Sequence, residues 1–150
     1  MHATATFTDF LRKPKDVVAK VVEGAVRITR RDAEDLILMR AGDLDRQHEG
    51  IALASRIMRA AARHPGDMAA ATHDVFGWVG ALSADEQGEF AREIDGLVWS
   101  AAELGEYTQL LRSVRSWAGT AEAYAAGIPR GGESDLTWLD DAAPVAVERP

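Results

Sequence analysis

The chain has 150 residues and 16.2 kDa, room for one compact domain or a small module with a second appended, which excludes a large multidomain enzyme. Hydrophobic residues at 47% and charged ones at 27% exclude a collagen-like, low-complexity or wholly disordered chain, and the lack of cysteine excludes disulfides, thiolate metal sites and a cysteine nucleophile. The net charge of -7 is split: residues 1–31 hold seven Lys/Arg, including all three lysines, against three Asp/Glu, and the remainder holds ten against 21, so a basic head on an acidic body points to two partners of opposite sign.

In chain order, residues 3–7, rich in Thr and closed by Phe7, read as an edge strand. Thr8 or Asp9 then caps a helix in which Phe10, Leu11, Val17, Val18, Val21 and Val22 recur at helical spacing, with Pro14 near its first turn and Gly24 as its stop. Val26-Arg27-Ile28-Thr29-Arg30-Arg31 alternates apolar and polar residues, as a half-buried strand does, and puts Arg27, Thr29 and Arg31 on one face. A turn over 32–35 leads to the short apolar strand Leu36-Ile37-Leu38-Met39, which returns as a hairpin. A unit of this size is near the limit at which one core holds itself together, so an oligomer is expected.

From Gly42 onward the pattern is helical. Residues 47–64 carry an apolar face with Leu53, Ala54, Ile57 and Met58, and a basic stripe of Arg56, Arg59 and Arg63, before His64-Pro65-Gly66 ends the run. Residues 68–81 form a second helix through Thr72, Val75, Phe76 and Val79. Ser83-Ala84-Asp85-Glu86 is a capping box that opens a third, ended by Gly105, and a fourth runs from Tyr107 to near Gly127. Short loops favour antiparallel neighbours. The fold class is therefore α+β, with a head over 1–46, a helical region over 47–127 and an extended acidic tail over 128–150.

Four histidines lie scattered, and no P-loop, G-x-S-x-G, G-x-G-x-x-G or H-E-x-x-H occurs, so neither a metal, a cofactor nor catalysis is expected. Glu86, Glu89 and Glu93 read as a solvated helix face, and Trp78, Trp99 and Trp117 as core. Trp138 stands apart in Asp135-Leu136-Thr137-Trp138-Leu139-Asp140-Asp141, an apolar knot among carboxylates that either meets a partner or docks on its own helices. The chain shows neither a basic-then-apolar leader nor 18 consecutive apolar residues, which makes the cytoplasm the expected place and a membrane an unexpected partner.

One longer string adds to this. The run from Phe10 to Val21 (Phe10-Leu11-Arg12-Lys13-Pro14-Lys15-Asp16-Val17-Val18-Ala19-Lys20-Val21), then Glu23-Gly24, Val26 to Arg31, and Asp32 to Leu38, resembles the Phd/YefM (prevent-host-death) antitoxin family over roughly residues 3–60. The resemblance implies an N-terminal module that dimerises, binds a palindromic operator and represses its own operon, with a C-terminal region that neutralises a cognate toxin. It places Arg12, Lys13, Arg30 and Arg31 against DNA, and Thr8 and Lys15 adjoin them. Free N–H groups at a helix start and bidentate arginines suit phosphate and base edges. No family motif fixes toxin contacts. The residues singled out for them are Leu53, Arg56 and Ile57 on the first long helix and Leu136, Trp138 and Leu139 in the tail, and an acidic body suits a basic, RNA-cleaving toxin. The loop Asp32-Ala33-Glu34-Asp35 is more acidic than the glycine-containing turn common in the family, and residues 47–127 are long enough for a core of their own. The alternatives are a solitary DNA-binding regulator whose helices serve oligomerisation, and a helical adaptor that does not bind DNA.

Overall fold

The computed structural model describes residues 2–130. The residues Leu136, Trp138 and Leu139 lie outside them. The protein is α+β: a small three-stranded sheet with two short helices forms the head, and four further helices form the body.

The head opens with strand β1 (Ala3–Thr6), whose last residue is the helix cap. Thr6 Oγ1 accepts from Asp9 N at 3.1 Å while Asp9 Oδ2 accepts from Thr6 N at 3.3 Å, so the cap is Thr6 and not Thr8 or Asp9. The expected single helix is two: α1 (Phe7–Arg12) and α2 (Pro14–Ala19), followed by a 3-10 turn over Lys20–Glu23. Pro14 is the cause. It has no N–H to give the preceding turn and bars the helical conformation at Lys13, which sits at φ -135 and ψ 60. Gly24 then turns the chain at φ +141, a region open to glycine.

Strand β2 (Val26–Thr29) is central, pairing parallel with β1 and antiparallel with β3 (Leu36–Leu38). The period of two sends Val26 and Ile28 inward, where Val26 joins Ala5, Val17 and Val21 in a small core, and leaves Arg27 and Thr29 outside. Ile37 pairs with Arg27 across the ladder and shares its outer face.

Helix α3 (Ala41–Arg63) begins six residues before the expected residue 47, so the boundary drawn after residue 46 falls inside a continuous helix. Asp43 pairs with both Arg40 and Arg46 one turn away, and this polar first turn has no apolar period to read. Next comes α4 (Met68–Val75), capped by Asp67, whose Oδ1 accepts from Ala70 N at 3.0 Å. The expected helix over 68–81 stops at Val75, since Phe76 is extended and Gly77–Ala81 is a 3-10 turn. Helix α5 (Ala84–Leu104) has the capping box read from the sequence, and Gly105 ends it in the left-handed region at φ +68. Helix α6 (Thr108–Ala125) completes the body.

The body core gathers Ile57, Val79, Ile94, Val98 and Leu110 around Phe90, whose ring lies 5.6 Å from Phe76, 5.1 Å from Trp78 and 5.8 Å from Trp117. Trp99 is not core. It is half exposed, because it follows buried Val98 by about 100° of helix, and its Nε1 donates to Asp95 Oδ1 at 3.0 Å. Glu89 and Glu93 are exposed, as read, while Glu86 is half-buried; Glu86 also accepts from Tyr124 Oη at 2.7 Å, and Glu93 from Ser113 at 2.6 Å and Trp117 at 3.0 Å. Two of the three carboxylates thus tie α5 to α6. Gly50 lies against Tyr107, where a Cβ would overlap the side chain. No helix among the described residues is long and apolar enough to cross a membrane.

Candidate nucleic-acid interface

The outer end of the sheet, the start of α1 and the loop after β2 enclose an open cleft of about 630 Å³. Its walls are Thr6, Phe7 and Thr8 on one side and Thr29, Arg30 and Arg31 on the other, with Asp32 and Ala33 closing the end. The local sequence explains this meeting. Parallel pairing sets Thr6 beside Thr29, so the residues that follow each strand, Phe7-Thr8 and Arg30-Arg31, emerge together at one sheet end.

Asp35 holds the loop. Its Oδ2 accepts from Arg27 Nε at 2.8 Å and its Oδ1 from Arg30 N at 3.2 Å, and the Arg27 guanidinium first, then the Arg30 amide, keep its carboxyl below the usual carboxylate range. One acid of the loop is thereby committed to Arg27 and the backbone. The Arg30 guanidinium sits 5.4 Å over the Phe7 ring, a cation-π placement between two residues that line the cleft. Among the described residues neither Arg30 nor Arg31 forms an ion pair, and Asp32 is the carboxylate on the wall. Such a surface offers cationic forks and the Thr8 hydroxyl to an anionic ligand, whereas the Thr29 hydroxyl donates to Ala5 O at 3.4 Å.

Of the six residues expected to meet DNA, Thr8, Arg30 and Arg31 come together here. Arg12, Lys13 and Lys15 do not line the cleft. They are exposed at the break between the two short helices, Arg12 in the last turn of α1 and not at a helix start. The start of α1 offers little to phosphate, because Asp9 N is taken by Thr6 and the Asp9 carboxylate, held low by its bonds to Thr6, occupies the first turn. The sequence reading missed Phe7 as a wall residue. No local signal marks it, because what sets Phe7 opposite Arg30 is the pairing of Thr6 with Thr29, 23 residues away.

The residues singled out for a toxin fare differently. Ile57 is fully enclosed in the core and offers no surface, since its apolar stripe packs against the other helices. Leu53 is buried too, though it reaches the floor of a groove between α3 and α6, and Arg56 is exposed on the same groove while its Nη2 donates to Val75 O at 3.2 Å. Elsewhere His64 Nε2 lies 2.7 Å from Asp74, whose carboxyl it holds low, and among the described residues no group of three potential metal ligands occurs. No protein-family model, no curated protein and no solved structure matches the chain.

Proposed function

We propose that the protein is a cytoplasmic Phd/YefM-like antitoxin and autorepressor without catalytic activity, whose head binds operator DNA as a homodimer and whose acidic body neutralises a basic toxin. The observation that carries the reading is the cleft in which Arg30, Arg31 and Thr8 converge, on the basic part of an otherwise acidic chain. Phosphate is the abundant anion with which a pair of guanidiniums and a neighbouring hydroxyl make charge-assisted bonds. A two-fold dimer doubles the charge and presents two equal clefts to a palindrome.

The apolar residues of the head support the dimer. Leu11, Val18, Val22, Leu36 and Ile37 are all exposed, more large apolar surface than so small a unit leaves in water when alone. The net acidity of the remaining chain supports a basic partner, by steering and by complementarity.

Binding to the region upstream of its own reading frame, measured against salt, tests the reading. Affinity falls steeply as salt rises, and Arg30→Ala or Arg31→Ala each lowers the slope of log K against log salt by about 1. Glu89→Ala, on the exposed face of α5, leaves both unchanged. Salt-insensitive binding, or full affinity in the double arginine variant, overturns the assignment.

A further inference from the structure

We propose that the C-terminal segment 135–141 of this chain docks in cis into the groove between α3 and α6, with the apolar knot Leu136-Trp138-Leu139 on its floor. The inference goes beyond the DNA reading and does not rest on it; it gives Leu53, Arg56, Leu136, Trp138 and Leu139, singled out above for a toxin, an intramolecular contact instead. The groove, about 410 Å³, has Leu53, Phe76, Leu111 and Val114 among its lining residues, with Arg56 and Arg115 on its walls beside a single acid, Glu49. That volume falls in the range of clefts that hold large side chains of a ligand. Among the described residues neither Arg56 nor Arg115 is ion-paired, whereas Arg46 and Arg63 pair with acids of the body.

Chemistry and reach both select the tail. Residues 131–150 hold five carboxylates against one arginine, and in 135–141 the acids Asp135, Asp140 and Asp141 flank the apolar residues on both sides. An apolar centre with acidic flanks complements an apolar floor with basic walls. The last described residue, Arg130, is moored to the body: its Nη2 donates to Ala81 O at 2.7 Å and its guanidinium lies 4.8 Å over the Tyr124 ring. From that ring back to Val114 is ten residues of α6, about 15 Å. The six residues from Arg130 to Leu136 span up to about 20 Å when extended. The tether is thus longer than the stretch of α6 that separates Tyr124 from Val114 at the near end of the groove.

The absence of cysteine makes the test direct, since any introduced pair is the only one in the full-length chain. Ala52→Cys, exposed at the groove, is combined with Thr137→Cys. The control combines Thr137→Cys with Ser116→Cys, which is exposed on α6 beside Arg115 but lines a different depression. Under mild oxidation the first pair closes a disulfide within one chain at least about tenfold faster than the control, because docking raises the local concentration over that of a loose tether. Reversing both walls with Arg56→Glu and Arg115→Glu brings the rate down to the control level. Equal rates for the two pairs, no cross-link at Ala52→Cys, a rate untouched by the charge reversal, or a disulfide that joins two chains each overturns the proposal. Non-reducing electrophoresis with peptide mass mapping separates the cases.

Discussion

Head and body are built on opposite balances of core to surface. The body surrounds Phe90 with Phe76, Trp78 and Trp117 and closes its helices with side-chain bonds from Glu86 and Glu93, so its stability is internal. The head buries Ala5, Val17, Val21, Val26 and Ile28 and leaves Val18, Val22 and Ile37 in water. Below a certain size a domain cannot cover the apolar residues that its strands and helices require, and the remainder becomes an interface. The part of this protein expected to act as a dimer is thus the part that cannot finish its own core.

The strongest test of that contrast is Phe90→Ala, which removes a ring touched from three sides and costs about 3–5 kcal/mol. Thermal unfolding of the variant should lose stability equally at all protein concentrations. A concentration-dependent loss would mean that the body core is shared between copies. Gly50→Ala comes next: the added methyl overlaps Tyr107, and separating α3 from the start of α6 costs about 1–3 kcal/mol in denaturant unfolding. A neutral result would show that the head-proximal end of the body is loosely packed.

Ile37→Glu probes the unfinished surface of the head. The residue is more than half exposed on the outer sheet face, so the substitution leaves the chain folded and weakens self-association at least about tenfold, or 1.4 kcal/mol, read by sedimentation. Unchanged association would move the dimer contact to Leu11, Val18 and Val22. The smallest effect is on pH. The Ser83 amide, and then the Tyr124 hydroxyl, hold the Glu86 carboxyl below its usual value of 4.5, so the stability it lends is whole above that value and is lost as the pH falls beneath it. Tyr124 is raised above 10.0 by the same carboxylate and keeps its contribution below that pH, losing it as the pH climbs past the raised value. Glu86→Gln flattens both arms, and the acid and alkaline midpoints of thermal stability measure it.

Local chemistry made several elements legible in the sequence alone. Ser83 and Glu86 stand at the spacing of a capping box, Gly105 follows the last apolar residue of its helix, and Val26 and Ile28 alternate with Arg27 and Thr29; each rule acts over a few residues, and the structure follows it. The charge split between head and body is likewise a property of the chain.

Other features depended on neighbours far away in sequence. Whether Trp99 or Trp117 entered the core turned on which side of α5 and α6 met the other helices, which helical period alone leaves open by one residue. The partners of Glu93, twenty and 24 residues away, are invisible to any local pattern, so a carboxylate that is exposed, as read, is also a clasp between α5 and α6. The cleft is the clearest case. Arg30 and Arg31 were evident as cations, but the pairing of Thr6 with Thr29 brought Phe7 and Thr8 opposite them and left Arg12, Lys13 and Lys15 elsewhere, because strand register, set by burial of Ala5, Val26 and Ile28, decides which residues share a sheet end.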